Sequence, residues 1–128
     1  MSAAELVTYH EMRPGRVFAP HDFQLDTESE RQYAALFGSS PASPLAGLLF
    51  LHARKSYVTE GDIPSGGIMA RMRLIQHARV PRDEPLRIQA TVAERYERRG
   101  RGWVQFRCRL TGTAGHLADV EILGAWPL

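Results

Sequence analysis

"LAGLLFLHARKSYV", residues 45–58, is the stretch on which the fold turns. Its first half is apolar nearly all round, and a helix of that character is buried on most of its sides. Just upstream, "SSPASP" (39–44) is a connection with no charge and no ring nitrogen. Before it, "DTESERQYAALFG" (26–38) is punctuated as a helix at both ends. Asp26 or Thr27 can cap its start, Glu28 and Glu30 fill its first turn, and Gly38 suits the position after its end. Tyr33, Leu36 and Phe37 share one face at helical spacing. Further upstream, "VFAPHDFQL" (17–25) alternates apolar and polar residues but contains Pro20, which confines it to a short or edge strand.

Downstream of the helix, "TEGDIPSGG" (59–67) is dense in breakers and reads as a loop. The remainder reads as strands. In "IMARMRLIQHA" (68–78), Ile68, Ala70, Met72 and Leu74 fall on one face, and Arg71, Arg73 and His77 on the other. "LRIQATVAERYE" (86–97) turns Leu86, Ile88, Ala90 and Val92 inward. "RRGRG" (98–102) is a hairpin signal. "WVQFRCRLTG" (103–112) turns Val104, Phe106, Cys108 and Leu110 inward, with Arg107 and Arg109 outward. "TAGH" (113–116) turns the chain again, and Val120 and Ile122 then lie opposite Asp119 and Glu121. A sheet with a single apolar face needs an element laid against it. The helix from residue 45 is the large apolar element available, so the fold class is α+β, an antiparallel sheet around one helix.

The totals set bounds. At 128 residues, with 44% apolar and 23% charged residues, the chain is expected to be one domain, 1–128, with a core that needs no staples. One cysteine, Cys108, excludes an internal disulfide framework and points to a reducing compartment. No apolar run approaches a membrane span, and "MSAAELVTYHEM" lacks the basic-then-apolar pattern of a secretory signal, so a cytoplasmic location is expected. The net charge is +2, and every basic residue except Lys55 is an arginine, which matches a GC-rich codon usage. The arginines alternate with acids and apolar residues instead of forming one block, which argues against nucleic-acid binding.

This layout resembles the MaoC-like hydratase/dehydratase branch of the hotdog-fold proteins. The resemblance rests on "RPGRVF", on the acidic-capped helix "DTESERQYAALFG", on the helix start "SPLAGLLF" and on the strands that follow "GGIMARMRL" and "VPRDEPLRI". It implies a hotdog fold, an acyl-thioester substrate carried on CoA or an acyl carrier protein, lyase chemistry, and a homodimer whose sheets pair edge to edge. Active members of that branch carry a motif close to Gly-Asp-x-Asn-Pro-x-His after the first helix. Here Gly38 matches the glycine, Ser39 stands in the place of the Asp, and no Asn-Pro-x-His follows. With a gap allowed, Ala46 stands in the place of the His. The dyad is absent, so the resemblance equally admits a non-catalytic module. Such a module would be a partner subunit completing a dyad-bearing chain in a heterodimer, or a binder of a small hydrophobic ligand.

The remaining candidates follow from chemistry. Hydration needs a base for water and an acid for the α-carbon. Ser39, Ser40 and Ser43 either hold a thioester carbonyl or a water, or cap the next helix. The unpaired N–H groups at the start of the apolar helix, from Leu45, Ala46 and Gly47, are suited to a developing oxyanion, because Pro44 lacks an N–H and fits the first helical position. His52 is the histidine best placed to reach a buried pocket and is the first catalytic candidate. Tyr57 offers a hydroxyl to a ligand or, alternatively, a ring to the core. Gly66 and Gly67 form a tight entry to the next strand and are the last candidates for substrate contact; "PSGG" lacks a phosphate-loop pattern. His21 and Asp22 are neighbours on a strand and point to opposite faces, so they do not form a dyad. Glu60 and Asp62 are read as solvated, and Cys108 as a small buried hydrophobe. The outward arginines 71, 73, 107 and 109 either pair with Glu94, Asp119 and Glu121 or receive the phosphates of a carrier arm. No cofactor is expected, and no His/Cys/Asp spacing points to a metal. The helix from residue 45 contains no acid, which weakens a thioesterase reading.

Overall fold

The computed structural model describes residues 8–37, 44–58 and 68–127. A short 3-10 turn, Tyr9–Glu11, precedes strand β1 (His21–Phe23), helix α1 (Thr27–Phe37) and helix α2 (Pro44–Val58). Four strands follow: β2 (Ile68–Gln76), β3 (Leu86–Arg98), β4 (Arg101–Gly112) and β5 (Gly115–Pro127). They form one five-stranded sheet in the order β1-β3-β4-β5-β2, with every pair antiparallel. The edge position expected for the strand around Pro20 is observed. Pro20 separates a bridge at Val17–Thr91 from β1, and both lie along β3.

One face of the sheet carries the core. Leu86, Ile88, Ala90 and Val92 of β3, Val104, Phe106, Cys108 and Leu110 of β4, and Val120 and Ile122 of β5 are all buried, as their alternation requires. Helix α2 packs on this face through Leu49, Ala53, Ser56 and Tyr57, each almost fully buried. The Tyr57 ring lies flat on Phe106 at 3.9 Å between centroids, and Phe18 and Trp126 surround the pair. Burying each such side chain contributes roughly 1.5–3 kcal/mol.

Two sequence readings need correction. Helix α2 is buried on one side only: Leu51 is 46% exposed, and Arg54 and Lys55 face solvent. A single five-stranded sheet covers half of a helix, and the opposite half keeps its apolar residues open. The face assignment at the start of β2 also changes. The register passes from Met69↔Gly124 to Arg71↔Leu123, so Ala70 is an extra, bulged residue. Met69 then packs against the core and Ala70 is exposed. Met72 pairs with buried Ile122 yet is 43% exposed, because β2 is the sheet edge.

Glycine is required at one close approach. A Cβ at Gly102 would sit 2.4 Å from the Tyr9 ring, so the 3-10 turn packs directly on the β4 backbone. The loop before β3 is tied to α1 by a paired contact of the Arg82 guanidinium with Glu30, and to the segment leading into α1 by Asp83 N donating to Leu25 O. Among the described residues no helix is long and apolar enough to cross a membrane.

Candidate functional site

Strand β1 alternates, so His21 and Phe23 face α2 while Asp22 faces outward. Asp22 is held by Arg87 across the strand pair, with Nε–Oδ1 at 2.7 Å and Nη2–Oδ2 at 3.1 Å. The expectation that His21 and Asp22 do not form a dyad therefore matches the geometry. Instead His21 meets His52. His21 Nε2 lies 3.1 Å from His52 Nδ1, so one imidazole donates and the other accepts. Phe23 stacks on His52 with 4.0 Å between ring centroids and 13° between planes. His21 in turn stacks on Phe23 at 5.5 Å.

This packing sets the protonation state. Burial, then the neighbouring His21, then Lys55, push the His52 pKa from 6.5 down to about 4. Burial and Lys55 also lower His21, against a smaller opposing pull from Asp22. At neutral pH the pair is uncharged, with one N–H···N bond shared between two rings. Such a pair can hold and pass a proton, and the neutral His52 ring is suited to donate a hydrogen bond.

The other sequence candidates are distributed as follows. Leu45, Ala46 and Gly47 occupy the first turn of α2, behind Pro44, where backbone N–H groups have no partner within the helix. Seven residues separate Leu45 from His52, which is about 10 Å along the axis. Side chains on a helix lean back toward its start, so the imidazole covers part of that gap. Between the helix start and His52, Leu48 and Leu49 are buried in the core. Tyr57 is 2% exposed and belongs to the aromatic core, where burial raises its hydroxyl pKa. Cys108 is fully buried and its thiol is pushed up to about 12, so it stays protonated. Ser39, Ser40, Ser43, Glu60, Asp62, Gly66 and Gly67, and the helix-ending Gly38, lie outside the described residues.

Of the outward arginines, Arg107 and Arg109 stand across from Glu121 and Asp119 in the register. Those acids bind elsewhere: Glu121 accepts from Gln105 Nε2 at 3.0 Å, and Asp119 holds His77 and His116. The spacing of residues in the sequence revealed neither the His21–His52 pair nor the His77–His116–Asp119 cluster. Both are contacts between distant segments, which no pattern within one segment records.

No family model matches the chain, and no curated protein matches it. Solved structures do. The R-hydratase PhaJ1 from Pseudomonas aeruginosa superimposes with a TM-score of 0.66 at 17% identity, over 94% of this chain and 86% of that one. The chain has the hotdog fold. The HadBC (3R-hydroxyacyl-ACP dehydratase) complex from Mycobacterium tuberculosis gives 0.68 at 16% identity, over 88% and 96% of the two chains. The MaoC-like dehydratase from Rhodospirillum rubrum gives 0.65 at 15%, over 95% and 98%. At these identities the likeness is one of hotdog architecture. It agrees with the resemblance read from the segment order.

Proposed function

We propose that this hotdog protein is a MaoC-like acyl-thioester hydratase/dehydratase in which the His21–His52 pair stands in place of the missing Asp/His dyad. The observation that carries the reading is the 3.1 Å contact between the two imidazoles, one of them on α2. The backbone N–H groups of Leu45, Ala46 and Gly47 receive the thioester oxygen, where negative charge develops as water adds to the β-carbon. His21, less perturbed than His52, takes the proton from water, and neutral His52 supports it through the shared hydrogen bond. The same proton returns to the α-carbon, so the addition balances without a cofactor. Reversal gives dehydration. The hotdog fold shared with PhaJ1 and HadBC supports the substrate class.

A second reading has its own observation. Asp22 points away, bound to Arg87, and among the described residues no carboxylate is hydrogen-bonded to the histidine pair. A partner subunit in a heterodimer with a dyad-bearing chain fits that arrangement, and HadBC is itself a complex of hotdog chains. As a homodimer or a heterodimer, the chain presents its β2 edge and the open side of α2 to the second subunit. A cytoplasmic setting belongs to either reading.

The deciding experiment follows loss of enoyl-thioester absorbance with purified protein and a short trans-2-enoyl-CoA. Turnover that drops at least about 100-fold in kcat/KM in both His52→Ala and His21→Ala supports the catalytic pair. Turnover unchanged in either variant sinks it. No turnover by the homomer, with activity appearing on addition of a dyad-bearing hotdog chain, establishes the partner role.

A further inference from the structure

The sheet face opposite α2 carries a second cluster of chemistry-bearing side chains. His116 and Asp119 both belong to β5, three residues apart, and strict alternation would put them on opposite faces. A bulge brings them together. Thr111 pairs with His116 and Leu110 with Ala118, so Leu117 is the extra residue. Leu117 and Ala118 are consecutive and both buried, which is the mark of the face change. His116 and Asp119 therefore both lie on the outer face, in line with Thr111 and exposed Arg109.

The bulge also supplies the third group. The carbonyl of Leu117 accepts the backbone N–H of His77 at 2.8 Å and of Ala78 at 3.1 Å, which anchors the end of β2 against β5. His77 is thereby held beside Asp119. His77 Nε2 lies 2.9 Å from Asp119 Oδ2, and His116 Nε2 lies 3.0 Å from Asp119 Oδ1. Each imidazole meets a different oxygen of the carboxylate, with 4.8 Å between ring centroids. One ligand atom from each of the three residues lies within 4.8 Å of the others.

We infer that His77, His116 and Asp119 form a binding site for a divalent transition-metal ion of the zinc type. Two imidazole nitrogens and a carboxylate oxygen are the donor set such ions take, with bonds of about 2.0–2.2 Å. The two nitrogen–oxygen distances are already close to the ligand spacing that those bonds impose. Only the two nitrogens must draw together, and both side chains are part-exposed, at 44% and 32%. The ion replaces the N–H···O contacts that now join the rings to the carboxylate, and the open side leaves room for water as a further ligand. Arg109, across the strand from Asp119, opposes the cation and keeps the affinity moderate. Because His77 directly follows β2 and the other two ligands lie on β5, the bound ion clips the end of the edge strand to the sheet. The site is independent of the histidine pair against α2.

The test uses the full chain without a histidine tag, stripped with chelator, then titrated calorimetrically with zinc chloride and spectroscopically with cobalt chloride. Expected are one equivalent of zinc, a visible cobalt band for a nitrogen/oxygen site, and a thermal midpoint that rises with zinc. Affinity should fall at least about tenfold in His77→Ala and in His116→Ala, and be unchanged in His52→Ala. His77→Gln serves as a second variant that keeps volume and polarity, with circular dichroism to verify folding. Absence of zinc binding in the wild-type chain, or equal binding by the His77→Ala and wild-type chains, overturns the assignment.

Discussion

His52 stays neutral across the physiological range because Phe23 and the sheet remove water from its ring. That has a consequence for stability. Between pH 6.5 and about 4 the unfolded chain binds a proton at His52 that the folded chain does not. Folding stability therefore declines as pH falls through this window and levels off, for this residue, below about 4. After allowance for partial exposure the loss is on the order of 1–2 kcal/mol. Urea unfolding at pH 7 and pH 4.5 should show the decline in the wild type and a smaller one in His52→Gln. Equal declines would mean that His52 titrates normally in the folded chain. At the same scale, His52 was legible in the sequence as a histidine on an apolar helix, whereas its partner was not. His21 lies 31 residues away, and only the placement of β1 beside β3, under α2, joins the two.

At the scale of elements, alternation identified the buried faces of β3, β4 and β5 because each strand has one core-facing side. It failed wherever an extra residue enters the ladder. Ala70 in β2 puts Met69 in its place on the core side while Met72 and Leu74 keep theirs, and Leu117 in β5 puts His116 beside Asp119. A bulge has no composition signature strong enough to read from one chain, since it depends on the partner strand. The hairpin between β3 and β4 was visible as "RRGRG", and its two turn residues, Arg99 and Gly100, have φ of 53° and 74°. Both lie in the left-handed region that a two-residue primed turn needs. Arginine is strained there, and asparagine tolerates the conformation. Arg99→Asn should therefore raise stability by about 0.5–1 kcal/mol, read as a higher urea midpoint at unchanged slope. A lower midpoint would show that Arg99 has a role beyond the turn.

For the whole molecule, two exposed apolar residues lie where one chain leaves α2 and the β2 edge uncovered. Leu51 on the open side of α2 is 46% exposed and Met72 on the β2 edge is 43% exposed. If a second chain completes the structure, as the proposed function holds, Leu51→Glu combined with Met72→Glu should convert a two-chain species to one chain in analytical ultracentrifugation. The fold should survive, because neither side chain belongs to the core. A wild-type chain that sediments as a monomer at high concentration would remove the homodimer. The expectation that α2 would be buried on most sides came from reading its apolar residues as the property of one chain. A single sheet supplies only half of the burial that such a helix can use.

From the residues alone came the apolar helix, the four long strands, the edge position of the strand at Pro20 and the absence of the Asp/His motif, because periodicity, breakers and missing residue types are local properties of the chain. Tertiary structure decided the His21–His52 contact, the cluster at Asp119 and the half-open helix. Each depends on how segments far apart in the chain are placed against one another, and at Asp119 on one bulged residue, which no local pattern records.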